Sequence, residues 1–95
     1  MTIADIRLAL RLTVEDYDAE LLRLAAAGMA DLTMAGITGA TALDGLDAVT
    51  GMAVLTYIRM HFGQPEDYDR LARSYEAQKM QLKLATGHTD WGDAG

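Results

Sequence analysis

The sequence predicts an all-α fold: a small bundle of about four helices, with a flexible loop between helices two and three and an extended C-terminal tail. Three observations predict it. Ala, Leu, Met, Glu, Arg and Gln are plentiful and the chain has one proline; these residues lose little freedom in a helix. Val, Ile and Phe are too few to fill the pleated faces of a β domain. Apolar residues recur at three- and four-residue spacing, and no segment alternates as a strand does. At 95 residues the chain holds one domain, read as a helical body over 1–85 and a tail over 86–95.

The first helix is expected over residues 3–12 (IADIRLALRL), where Ile3, Ile6, Ala9 and Leu10 fall near one face. TVEDYD (13–18) follows as an acidic hinge. Thr13 or Asp16 caps the next helix, and Glu15, Asp16 and Asp18 suit the positive end of its dipole. The second helix runs from about Asp16 to Ala35, with Leu21, Leu24, Gly28 and Leu32 on one ridge and Leu22, Ala25 and Met29 beside it. Gly28 costs about 1 kcal/mol relative to alanine in mid-helix. Either a neighbouring helix approaches closely there, or the glycine is merely tolerated.

GITGATALDGL (36–46) holds three glycines and reads as a mobile loop. Asp47 is the N-cap of a third helix over 48–62. That helix is apolar nearly all round, with Arg59 as its one formal charge, so it belongs at the centre of a bundle or between subunits. Gly63 ends it, and Pro65 opens a fourth helix, 65–85, at its first position. Acidic Glu66, Asp67 and Asp69 at its start and Lys79 and Lys83 at its end match the helix dipole. Glu66/Arg70 and Asp69/Arg73 are spaced as i,i+4 pairs. Tyr68, Leu71, Ala72, Tyr75 and Leu82 form a narrow apolar stripe, so this helix lies outside the third.

Composition and missing motifs exclude most chemistry. The chain has no cysteine, hence neither disulfide nor thiolate chemistry, and its N-terminus is not a signal peptide. No stretch approaches the roughly 18 apolar residues of a membrane span. A net charge of −6 disfavours nucleic-acid binding through phosphates, though an acidic wall suits DNA that slides past. A helix–turn–helix reader is disfavoured too, because the basic residues of helix four alternate with acids. There is no nucleophile elbow, phosphate loop or dinucleotide fingerprint. His61 reads as structural. His88 and Asp90 are two ligands without a third, too few for a metal. No catalytic residue, cofactor or metal is expected.

Protein contact remains. Tyr57, Tyr68, Tyr75 and Trp91 are of the types that anchor interfaces, although tyrosines at helical spacing are more often core. Trp91, the only tryptophan, stands in ATGHTDWGDAG with no periodic segment around it. It either folds back over the bundle or docks into a neighbour.

Several strings resemble a known family. AVLTYIRMHFG (53–63) and YDRLARSYEAQKMQLKLATGHTDWG (68–92), with LRL closing helix one, DYDAELL (16–22) opening helix two and AGI (35–37) closing it, resemble the small head–tail connector proteins of tailed bacteriophages, also called DNA-packaging or head-completion proteins. The likeness covers nearly the whole chain. It implies a structural protein in a homo-oligomeric ring beneath the portal. Such a ring extends the DNA channel, lets DNA pass without sequence-specific binding, and offers a surface to the next connector or tail protein. It implies residence at the virion head–tail junction, after assembly in the host cytoplasm, with no membrane partner. His88, Thr89, Asp90 and Trp91 are then the candidate contacts to the portal or a neighbouring subunit. Met52, Tyr57, Met60 and Tyr75 are candidates for the subunit interface, and Asp44 and Asp47 for the channel wall. The alternative is an acidic helical interaction module, a regulatory subunit unrelated to the virion.

Overall fold

A computed structural model describes residues 1–85. Among these residues there are four α-helices and no strand: α1 (Ile3–Ala9), α2 (Asp18–Met34), α3 (Ala48–His61) and α4 (Tyr68–Leu84), with one short 3-10 turn at Leu43–Gly45. The all-α class and the helix order are those expected.

The helix ends explain where the boundaries differ. At α1 the sequence T-x-x-D makes a capping box. The Asp5 amide donates to Thr2 Oγ1 at 3.2 Å, and the Thr2 amide donates to Asp5 Oδ2 at 2.8 Å. These bonds, the backbone one foremost, hold the Asp5 carboxyl below its ordinary value. The helix stops three residues before the expected Leu12 because Arg11 turns left-handed, at φ 59°. The Arg11 amide donates to the Leu8 carbonyl at 3.0 Å and the Leu12 amide to the Arg7 carbonyl at 2.8 Å. That is the paired bonding of a Schellman ending, here closed without glycine.

Neither Thr13 nor Asp16 caps α2. Tyr17 occupies the N-cap and makes no side-chain capping bond. The start is held instead by an ion pair from Arg7 Nε to Asp18 Oδ1, 3.0 Å, which ties α1 to the first turn of α2. A second Schellman ending closes α2. Gly36, at φ 92°, donates to the Thr33 carbonyl, and Ile37 donates to the Leu32 carbonyl at 3.1 Å. Ile37 and Leu32 are both buried, supplying the apolar contact such endings favour.

The segment 36–46 is anchored: Ile37 and Ala40 are buried, and Thr33 Oγ1 donates to the Ala40 carbonyl at 3.4 Å. Asp47 caps α3 as expected, accepting from the Thr50 amide at 2.8 Å. Gly63 takes φ 70°. Pro65, however, does not start α4. Glu66 and Asp67 form a turn first, Asp67 keeps a non-helical φ of −99°, and the helix begins at Tyr68. In that turn Arg70 pairs with Asp67, not with the expected Glu66.

α3 is central and packs against both α2 and α4. Gly28 of α2 meets Tyr57 of α3 so closely that an added Cβ would lie 3.1 Å from the ring. Close approach is thus the reason for the glycine. Tyr17 at the start of α2 stands edge-on to Phe62 at the end of α3, 5.5 Å between centroids, so these helices are antiparallel. Leu82 and Ala85 lie beside Val49 at the start of α3, so α3 and α4 are antiparallel too. The fully buried side chains Ile6, Leu21, Leu32, Ile37, Val54, Ile58 and Leu82 come from all four helices and the loop. Arg59 Nη2 reaches across to the Ala9 carbonyl at 3.2 Å, at the negative end of α1.

Candidate functional site

The α2–α4 contact carries a polar cluster. Asp31 lies near the C-terminus of α2, where the dipole disfavours a carboxylate, so its partners must come from elsewhere. The Tyr75 hydroxyl donates to Asp31 Oδ2 at 2.5 Å, and Lys79 Nζ donates to the same oxygen at 3.1 Å. Lys79 also pairs with Glu76 at 3.2 Å and lies 5.1 Å from the centroid of the Tyr75 ring.

Burial pushes the Asp31 carboxyl up. The bonds from Tyr75 and Lys79 and the lysine charge outweigh it, and the group ends below its ordinary value. Burial, and then the bond to Asp31, push the Tyr75 hydroxyl far above its usual range. For Lys79, burial acts downward first, but the bonds to Asp31 and Glu76 leave it raised. Each group is driven away from neutral pH, whereas a general acid or base works best near it. The cluster clamps α4 onto α2 and is unsuited to moving protons.

A row of rings runs outward from it. Tyr75 meets Tyr57 at 5.5 Å, Tyr57 meets His61 at 4.5 Å, and His61 meets Tyr68 at 6.1 Å. The row passes from buried Tyr75 to exposed His61 and Tyr68.

Two apolar grooves open on the surface. One, about 390 Å³, runs along α2 beside the loop and is lined by Met29, Ala30, Met34 and Ala40 among others; Met34 is 86 % exposed. The other, about 300 Å³, lies between the start of α3 and the end of α4 and is lined by Val49, Gln81, Leu82 and Ala85. The antiparallel helices bring the end of α2, the loop, the start of α3 and the end of α4 to one end of the bundle. Glu15, Asp16, Glu66, Asp67 and Asp69 are exposed at the opposite end.

The expected interface residues divide. Met52 is 61 % exposed and offers apolar surface. Tyr57 is half-buried against Gly28 and Tyr75. Met60 and Tyr75 are buried in the subunit's own core, so their side chains leave almost no surface for a partner. Asp44 and Asp47 are exposed at the loop end, and the Asp47 carboxylate is engaged as a cap. His88, Thr89, Asp90 and Trp91 lie outside the described residues.

Sequence reasoning missed the Asp31 cluster and the α2 groove. A signal for the cluster existed: an acid near the C-terminal end of an otherwise apolar helix requires a cation or hydroxyl donor from another element. The groove had none, because Met34 lies at a helix end that the pattern assigns to no face.

Among the described residues, no group of three or more His, Asp or Glu is placed to hold a metal, and no helix is long and apolar enough to cross a membrane. These features define a small helical protein with apolar grooves on its surface. The family model described as phage connector protein matches residues 3–89, and the chain belongs to that family. It is therefore of a structural kind, a phage connector. Searches of curated proteins and of solved structures find no match.

Proposed function

We propose that the chain is the virion adaptor that joins head to tail: identical subunits form a ring below the portal, extend the DNA channel and present a surface to the next connector or tail protein. The family match over residues 3–89 carries this reading. Head-to-tail closure of a ring needs two different complementary surfaces on each subunit. The α2 groove around Met34, together with exposed Met52 on α3, supports it. Asp44 and Asp47 face the channel, where negative charge keeps DNA from sticking. Residues 1–85 are the connector body and 86–95 its anchoring segment. In that segment His88, Thr89, Asp90 and Trp91 engage the portal or a neighbour. Ordering such a segment costs entropy, which a buried tryptophan offsets as a hot spot. Assembly takes place in the host cytoplasm, and the finished ring lies at the head–tail junction.

The test is complementation of DNA-filled heads made without this protein. Added full-length chain is expected to yield tailed particles by electron microscopy, and chain lacking residues 87–95 is expected to keep its helical circular dichroism and yield none. Heads that join tails equally well without the chain would refute the adaptor role. Normal joining by the truncated chain would refute the anchor.

A further inference from the structure

The groove at the end of α3 and α4 has a candidate occupant within the same polypeptide. We propose that, in the free subunit, this groove is the resting seat of the chain's own segment 86–95, with the Trp91 indole lying against Val49 and Leu82.

Three observations point to this occupant. Ala85, the last described residue, itself lines the groove, so the segment starts at its edge. Trp91 is six positions further on, and six residues span at most about 20 Å, enough to turn back over Val49 and not enough to wander far. Such a short tether holds the indole at an effective concentration of order millimolar, so even weak apolar contact fills the groove before a separate molecule does. Finally, the surroundings are apolar and uncovered: Val49 is 53 % exposed and Leu84 is 78 % exposed. An indole covers such a surface well and keeps its N–H free for a polar partner at the rim.

The seat is a property of the isolated subunit and does not depend on the adaptor reading. If both hold, a partner must compete with the groove for the indole, and segment release becomes a step in assembly.

Trp91 is the only tryptophan, so intrinsic fluorescence of the purified full chain reports on it alone. The expected result is a blue-shifted emission with slow acrylamide quenching, both unchanged on dilution. Val49→Asp should shift emission to the red and raise quenching to that of a free indole. Aspartate suits the first turn of α3, so this variant keeps the fold. Met34→Lys, in the other groove, should change neither reading. Red, fully quenched emission in the unmodified chain overturns the proposal. So does a blue shift that fades on dilution, which would mean that a second copy holds the indole. A shift produced by Met34→Lys and not by Val49→Asp also overturns it, because the α2 groove would then be the seat.

Discussion

Tyr75 donates its hydroxyl proton to Asp31 across 2.5 Å and so fastens α4 to α2, two helices that otherwise meet chiefly through α3. Removing the hydroxyl alone tests its weight. Tyr75→Phe keeps the ring against Tyr57 and leaves Asp31 its bond from Lys79. A hydrogen bond to a charged group contributes about 1.5–3 kcal/mol, and the 39 % exposure of the Asp31 side chain reduces that through solvent screening. The expected loss is about 1 kcal/mol, read as a lower urea midpoint with an unchanged slope. A midpoint equal to that of the parent would show that the clamp contributes nothing.

The same cluster sets the pH profile of stability. Asp31 is depressed below its ordinary 3.8 in the folded chain. Its contribution is present above that value and is lost as pH falls through the lower folded value. Lys79 is raised above 10.5 and Tyr75 above 10.0. Their contributions are complete below those ordinary values and are lost as pH rises through the higher folded ones. Stability should therefore be flat around neutrality and fall on both sides. Asp31→Asn should flatten the acid limb below the ordinary 3.8 and weaken the alkaline limb as well. Thermal melts across pH check this, and an acid limb unchanged in Asp31→Asn would place its origin elsewhere.

Gly28 carries a size limit. An added Cβ would meet the Tyr57 ring and Cβ at 3.1–3.2 Å, a small overlap. Alanine gains about 1 kcal/mol of helix propensity against it, so Gly28→Ala should change stability little. Gly28→Leu has no room and should cost about 3 kcal/mol through overpacking, seen as a fall in melting temperature. Tolerance of leucine would mean that the α2–α3 contact is looser than its geometry.

Arg11 is the opposite case, a side chain where glycine would fit better. Its φ of 59° costs a non-glycine residue about 1 kcal/mol. Arg11→Gly should raise stability by roughly 0.5–1 kcal/mol, less what glycine adds to the freedom of the unfolded chain. Chemical denaturation measures this directly. A loss of stability would show that the guanidinium makes contacts worth more than the strain.

Arg11 also shows where the sequence stops being legible. The helical body was readable because apolar spacing, Asp47 and Gly63 are local signals that the tertiary structure leaves intact. The true end of α1 was not, because a left-handed arginine has no signature in the sequence. The start of α4 slipped by three residues because Pro65 suits a turn before a helix as well as the first helical position. Among the candidate interface residues, Met52 lies exposed on α3. Met60 and Tyr75 look the same in sequence, yet they face inward, since an all-round apolar helix does not reveal which side its own bundle covers. The Asp31–Tyr75 bond joins residues 44 apart, beyond the reach of any periodicity.

Met34 offers a direct test of whether the α2 groove serves assembly. Its side chain is 86 % exposed, so little packing is lost on substitution, and a surface change of this kind alters stability by about 0.5 kcal/mol or less. Lysine is the informative replacement. It is favourable beside the negative end of α2, yet it puts a charge where a partner would have to desolvate it. Met34→Lys should therefore melt with the parent and fail to form the proposed ring, or form it only at much higher concentration, in light scattering with portal-bearing heads. Glu66→Lys, at the acidic far end of the bundle, is the matching control and should assemble normally. If Met34→Lys assembles like the parent while the control fails, subunits meet through the acidic end, and the apolar groove has another purpose.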